Sequence, residues 1–179
     1  MKNQAGFSLL ELLIAMTLSA LLLLSVERLL PQLWLQATAS EQRRWARDEI
    51  QRVQLVLEKA VRRAGFCAGD KCQGLGLEIR NNGKCLLIRW DDNFNGVWEG
   101  PASQQSDYFG YRYRDDAIET ARGVSDCLTG QWSRLNTPSQ VKIVDWQAKQ
   151  IEEGIEMQFL VKAGKYSLRR RHLINRENK

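Results

Sequence analysis

The chain has 179 residues and a formal net charge of +5, enough length for one domain with a modest core. Acidic and basic residues alternate along most of it, and Arg169-Arg170-Arg171 is the one basic run. That pattern argues for a solvated face with scattered cations rather than a surface for nucleic acid or anionic lipid. No internal repeat and no low-complexity linker is present.

Residues 7–26 are apolar apart from one carboxylate, Glu11. Twenty helical residues at about 1.5 Å each span roughly 30 Å, the thickness of a bilayer's hydrocarbon core. No small-residue cleavage site follows the run, as it would after an ordinary secretory signal; Leu29, Leu30, Pro31 and Trp34 come instead. Lys2 and the starting amine place the amino-terminal end in the cytoplasm, mildly opposed by Arg28. A lone carboxylate in hydrocarbon needs a partner. No Lys, Arg or His lies within a turn or two of Glu11, so its partner is expected from elsewhere.

The helical pattern continues beyond the membrane run. Pro31 removes a backbone donor and is expected to kink the helix near residues 27–30. Beyond it Ala46, Ile50, Val53, Leu57, Ala60 or Val61, and Ala64 recur at three- and four-residue steps, one apolar face of an amphipathic helix. Asp48 with Arg52 and Glu58 with Arg62 stand four apart with the acid first, the better order on a helix. Gly65 is the stop signal. One helix over residues 7–64 is expected.

From Gly65 the period changes. Residues 75–80 and 84–90 are short apolar runs joined by Asn81-Asn82-Gly83, a hairpin signal. Residues 107–114 alternate, Asp115-Asp116 turns the chain, and residues 117–122 continue. Residues 141–147, 155–161 and 166–174 are further strand candidates, the last two joined by Ala163-Gly164-Lys165. About seven strands after one helix make a segregated α+β pattern. Residues 175–179 read as a polar tail.

Gly6-Phe7-Ser8-Leu9-Leu10-Glu11, after a short leader with one Lys, resembles the prepilin-peptidase signature of type IV pilins and type II secretion pseudopilins. Residues 108–122 resemble the matching hairpin of J-type minor pseudopilins. The resemblance implies an α+β, type IV pilin-like fold with one long amino-terminal helix on an antiparallel β-sheet domain. It divides the chain into a leader (1–6), a transmembrane half-helix (7–30), an amphipathic half-helix (31–64) and a β-rich periplasmic domain (65–179). It further implies cleavage between Gly6 and Phe7, methylation of the Phe7 amine, and pairing of Glu11 with the amine of a neighbouring subunit. The expected function is that of a minor pilin in a tip complex priming type IV pilus assembly. A secretion pseudopilin, or a tip-displayed adhesin or DNA-uptake subunit, is the alternative. Implied partners are prepilin peptidase, other minor pilins and the major pilin by helix packing, an inner-membrane assembly platform and the lipid bilayer. Nucleic acid is not among the expected partners.

Four cysteines beyond an export anchor fit an oxidising compartment. Three pairings are possible; Cys67 and Cys72 enclose a short Gly- and Asp-containing loop that could close, which would leave Cys85 with Cys127. A four-thiolate zinc site is the rival and lacks the usual closely spaced pairs. Asp91, Asn93 and Asn95, followed by Gly96 and by Glu99, match the first half of a calcium loop. The twelfth position is Ala102, so the bidentate carboxylate is missing. The stretch reads either as a modest calcium site completed by a distant acid or as a polar turn leaving a strand. His172, the one histidine, has no nucleophile or orienting acid marked out for it and reads as a surface residue. No catalytic constellation and no cofactor is expected.

Overall fold

The computed structural model describes residues 8–152 and 154–175. Helix α1 runs from Leu9 to Arg63, and Pro31 lies inside it without ending it. The flanking residues are mostly Leu, Gln, Glu and Arg, good helix formers that tolerate the loss of one intrahelical bond. Two compact units divide the chain, residues Met1–Glu41 and Gln42–Lys179. In the first, every described side chain of α1 is exposed, and the helix is long and apolar enough to cross a membrane.

In the second unit α1 buries Ala46, Ile50, Val53, Leu57, Ala60 and Val61, the stripe that its three-four periodicity marks out. These side chains form one core with Leu86, Ile88, Ile118, Ile143, Trp146, Met157 and Phe159 from the strands. The strands make two antiparallel sheets. The first has the order β1-β2-β3-β4-β5 and the second β6-β7-β8. Their ranges are Leu77–Arg80, Cys85–Arg89, Tyr108–Arg114, Ala117–Arg122, Ser133–Arg134, Lys142–Ile151, Gly154–Ala163 and Tyr166–Asn175. Eight strands replace the expected seven, because β5 pairs only Ser133 and Arg134 with β4, too short a run to carry an alternating pattern.

The β1–β2 turn is a tight one. Asn81 and Asn82 have φ of 53° and 52°, and Gly83 has φ of 88°, the left-handed region that Asn and Gly enter most easily. A Cβ on Gly83 would lie 2.5 Å from the Ala148 carbonyl oxygen of β6, so this glycine also lets β6 approach. On β6 the register shifts between Ile143 and Asp145. The extra residue there puts Ile143 and Trp146, three apart, on the same buried side. Tyr113 donates its hydroxyl to the Val144 carbonyl at 2.6 Å, which satisfies the bulge.

Disulfides join Cys67 to Cys72 and Cys85 to Cys127. Behind the second, Arg112 and Glu119 face each other across β3 and β4 and pair at 2.8 Å, nearly buried. Arg112 also donates to the Cys127 carbonyl at 2.8 Å and stacks over Trp132 at 4.1 Å. The buried charge is therefore fully partnered, as burial of a guanidinium requires.

Candidate functional site

The amino-terminal site begins at the edge of the described residues, and Gly6 and Phe7 lie outside them. Ser8 starts α1. Its hydroxyl accepts the Leu10 N–H at 3.3 Å, and the Glu11 carboxylate accepts the Ser8 N–H at 3.0 Å. Ser8-Leu9-Leu10-Glu11 is thus a capping box, in which the first serine and the acid three residues later satisfy orphan donors of the first turn. The S-x-x-E spacing is the sequence signature of this cap. It revises the picture of a carboxylate with no local partner: one oxygen, Oε2, holds a backbone N–H. Among the described residues Glu11 makes no ion pair, so its charge is not neutralised within this helix.

The second constellation is the loop after β2. Asp91 is 1% exposed. Its Oδ2 accepts N–H groups from Ala68 at 3.0 Å and Gly96 at 2.8 Å, and its Oδ1 accepts the Asn95 N–H at 3.1 Å. Burial works to raise its pKa, but these backbone donors outweigh it and hold the carboxyl below its ordinary value. Asn93 Oδ1 accepts the Asn95 N–H, and Asn95 Oδ1 accepts the Val97 N–H. The Asn95 amide donates to Glu99. Asp91, Asn95 and Glu99 are therefore brought together, while the Asn93 amide turns toward Gln105. The side-chain oxygens of Asp91, Asn93 and Asn95 that a cation would need are engaged with backbone N–H groups.

Glu99 also faces Asp107, which is fully buried. Asp107 accepts the Asp92 and Glu99 backbone N–H groups at 3.1 and 3.0 Å. Burial, and then the hydrogen bond shared with Glu99, push its pKa up to about 6. The interaction with Asp107 is the first cause that lowers Glu99, so the two facing carboxyls are pushed in opposite directions. Among the described residues, Cys67, Cys72 and Asp91 also place ligand-type atoms within 4.8 Å of one another. The two sulfurs are bonded to each other, however, and are not thiolates.

Aromatic and cationic side chains meet beside this loop in a way that sequence reading missed. Trp90 stacks on Phe109 at 3.6 Å. Arg63 lies 6.0 Å over the Trp90 ring and Arg122 lies 5.1 Å over the Phe109 ring. Asp92 ties both guanidiniums, at 3.7 and 3.3 Å, and accepts the Trp90 indole N–H.

His172 is half-buried rather than free on the surface, with Nε2 3.0 Å from the Glu58 carboxylate. It links β8 to α1. Arg62 is the first cause of the lowered Glu58 pKa, and His172 adds to it against the opposing effect of burial. Arg169, Arg170 and Arg171 stand on consecutive positions of β8 opposite Leu160, Phe159 and Gln158. Their side chains therefore alternate between faces, and Arg171 is paired with Glu156.

The family described as Prepilin peptidase-dependent protein B matches residues 39–175, and the Prokaryotic N-terminal methylation motif matches residues 1–26. Prepilin peptidase-dependent protein B of Escherichia coli (strain K12) is 38% identical over 145 residues, covering 81% of this chain and 77% of that protein. No solved structure matches the chain.

Proposed function

The chain belongs to the prepilin peptidase-dependent protein B family, and from that premise we propose that it is a minor pilin that primes type IV pilus assembly. Prepilin peptidase removes residues 1–6 and the new Phe7 amine is methylated. The apolar part of α1 holds the subunit in the inner membrane, with the β-rich unit in the periplasm. The subunit then joins other minor pilins in an initiation complex at the pilus tip.

Glu11 carries this reading. It is a carboxylate in an apolar, exposed helix whose only described partner is a neutral N–H. Such a group costs about 2.5–3.5 kcal/mol at the centre of a bilayer. An amine from a second subunit offsets that cost, and because water is excluded the attraction is strong. The same penalty fixes the axial stagger of packed helices, since a misplaced neighbour leaves the charge unpaired.

Glu11→Gln is the informative variant. Glutamine serves as well as glutamate in a capping box, so the helix start is kept while the charge is removed. The mature protein should begin at methylated Phe7 by mass spectrometry, keep both disulfides and fail to initiate pili. Normal piliation by the correctly processed Glu11→Gln protein would remove the proposed mechanism. An intact Met1 in protein from its own host would remove the proposed function.

A further inference from the structure

Two hollows of about 220 and 300 Å³ meet at Arg63 and Trp90. On one side Val56, Lys59, Ala60 and Arg63 form a single stripe of α1, at three- and four-residue spacing. The other side is aromatic, with Phe109 and Tyr111 from β3 beyond Trp90. Phe66 and Phe94 close the far end.

Phe94 is the unusual member. It has φ of 61°, a left-handed conformation unfavourable for an aromatic residue. It is 71% exposed and touches Phe66 only edge-on, with ring centroids 5.3 Å apart. The Asp91 carboxylate, through its three backbone donors, holds the loop in this shape. The fold thus fixes a large apolar side chain in solvent at the lip of a groove. Rigid, exposed aromatics beside arginines are what binding hot spots are made of.

The charges select the occupant. Lys59 and Arg63 line the groove, Arg122 lies over Phe109 beside it, and Asp92 is the carboxylate shared by both guanidiniums. The other acid, Asp91, is committed to backbone N–H groups. Both guanidiniums are already oriented against aromatic rings, so little freedom is lost when a carboxylate docks in bidentate fashion. A nucleic acid fits poorly. The hollows are small, and Trp90 at 7% exposure is itself closed to a stacking base.

We infer that the Arg63–Trp90 groove with the Phe94 loop is a docking site for a peptide segment of another pilin-like subunit, one carrying a carboxylate next to an aromatic or branched aliphatic side chain. The inference rests on the reading that the chain assembles with other subunits. The apolar side chain sits between Phe94 and the α1 stripe, and the carboxylate engages Arg63 and Arg122.

The test is site-specific photo-crosslinking in the host, on the full chain, with a benzophenone amino acid at Phe94 and, as control, at the 80%-exposed Leu128. The Phe94 probe should give an adduct with a subunit that bears the amino-terminal methylation motif, mapped to a segment of the stated chemistry. Arg63→Glu should lower its yield about tenfold, as expected for a charge-assisted pair made repulsive. Changing the mapped acid of the partner to Lys should restore the yield. Where Arg63→Glu does not fold, judged by both disulfides and the melting temperature, Lys59→Glu on the exposed side of α1 takes its place. A Phe94 yield no higher than that at Leu128, adducts only with lipid or nucleic acid, or a yield unmoved by charge reversal would overturn the inference. If Glu11→Gln still blocks assembly while Phe94 gives no adduct, only the docking site is lost. If Glu11→Gln assembles normally, the underlying reading falls instead.

Discussion

Removal of the Asp91 carboxylate should unfold the loop that carries Phe94 and lower global stability substantially. Its three bonds are not equivalent. The Asn95 N–H also reaches Asn93 Oδ1 at 3.1 Å, so Asp91→Ala orphans only the Ala68 and Gly96 N–H groups. Bonds to a charged acceptor contribute about 1.5–3 kcal/mol each, and two of them give about 3–5 kcal/mol after some loop relaxation. At a few degrees per kcal/mol for a unit of this size, the melting temperature should fall by on the order of 10–20 °C. Asp91→Asn keeps one oxygen for the Ala68 and Gly96 donors but turns an amide toward the Asn95 N–H, and should lose less. Because the folded-state pKa lies below the ordinary 3.8, this stabilisation is complete above about pH 4 and fades as the pH falls further. Tryptophan fluorescence melts of the detergent-solubilised chain report it well, since Trp98 donates its indole N–H to the Phe66 carbonyl beside the loop. Millimolar calcium should leave the wild-type melt unchanged. A loss below about 1 kcal/mol for Asp91→Ala, or a calcium-dependent rise absent from the variant, would show that the N–H groups are not the main partners of Asp91.

The disulfides should differ in weight. Cys85–Cys127 spans 42 residues and Cys67–Cys72 spans 5, so chain-entropy arithmetic assigns about 4 and about 2 kcal/mol to them. Serine pairs at each site, compared by urea titration, should preserve that order, and equal losses would refute it. The Glu99–Asp107 pair should produce a stability maximum near pH 4–5. The lowered Glu99 carboxyl (ordinary value 4.5) makes stability rise with pH at the acid side, and Asp107, raised to about 6, makes it decline from about pH 4 to 6 as the unfolded chain deprotonates first. Glu99→Gln removes the like charge facing Asp107, so the decline should shift to lower pH, and a profile unchanged from wild type would show that Glu99 does not act on Asp107.

Local signals carried most of the fold. The helix expected over 7–64 is Leu9–Arg63, and the hairpins at Asn81–Gly83 and Asp115-Asp116 follow from residues that accept positive φ. What was not legible depends on distant partners. The edge strand β5 pairs only two residues with β4 and carries no periodic pattern. β6 runs to Ile151 rather than 147 because Gly154–Ala163 supplies partners along its whole length, although Ala148–Ile151 does not alternate. The expected surface position of His172 fails because its partner Glu58 lies on α1, and contacts across the fold are not encoded locally. Arg63 and Arg122 are likewise far apart in the chain, and only the shared Asp92 and the Trp90–Phe109 stack bring them to one groove.

In the proposed docking, Glu11 joins local structure to assembly, and its two oxygens would separate the roles. Oε2 accepts the Ser8 N–H, which leaves Oε1 for an incoming amine, so docking does not require the cap to open. The cap nevertheless matters, because it restrains the carboxylate to one place over the first turn. Ser8→Ala removes the hydroxyl that accepts the Leu10 N–H and should cost the first turn about 1 kcal/mol. The Ser8 backbone N–H, and with it the bond to Glu11, is retained. Pilus initiation should therefore be reduced by severalfold in Ser8→Ala and abolished in Glu11→Gln, with processing at Gly6 monitored in both by mass spectrometry. An equal defect in the two variants would mean that the cap rather than the charge is what assembly reads, and the docking role of Glu11 would have to be abandoned.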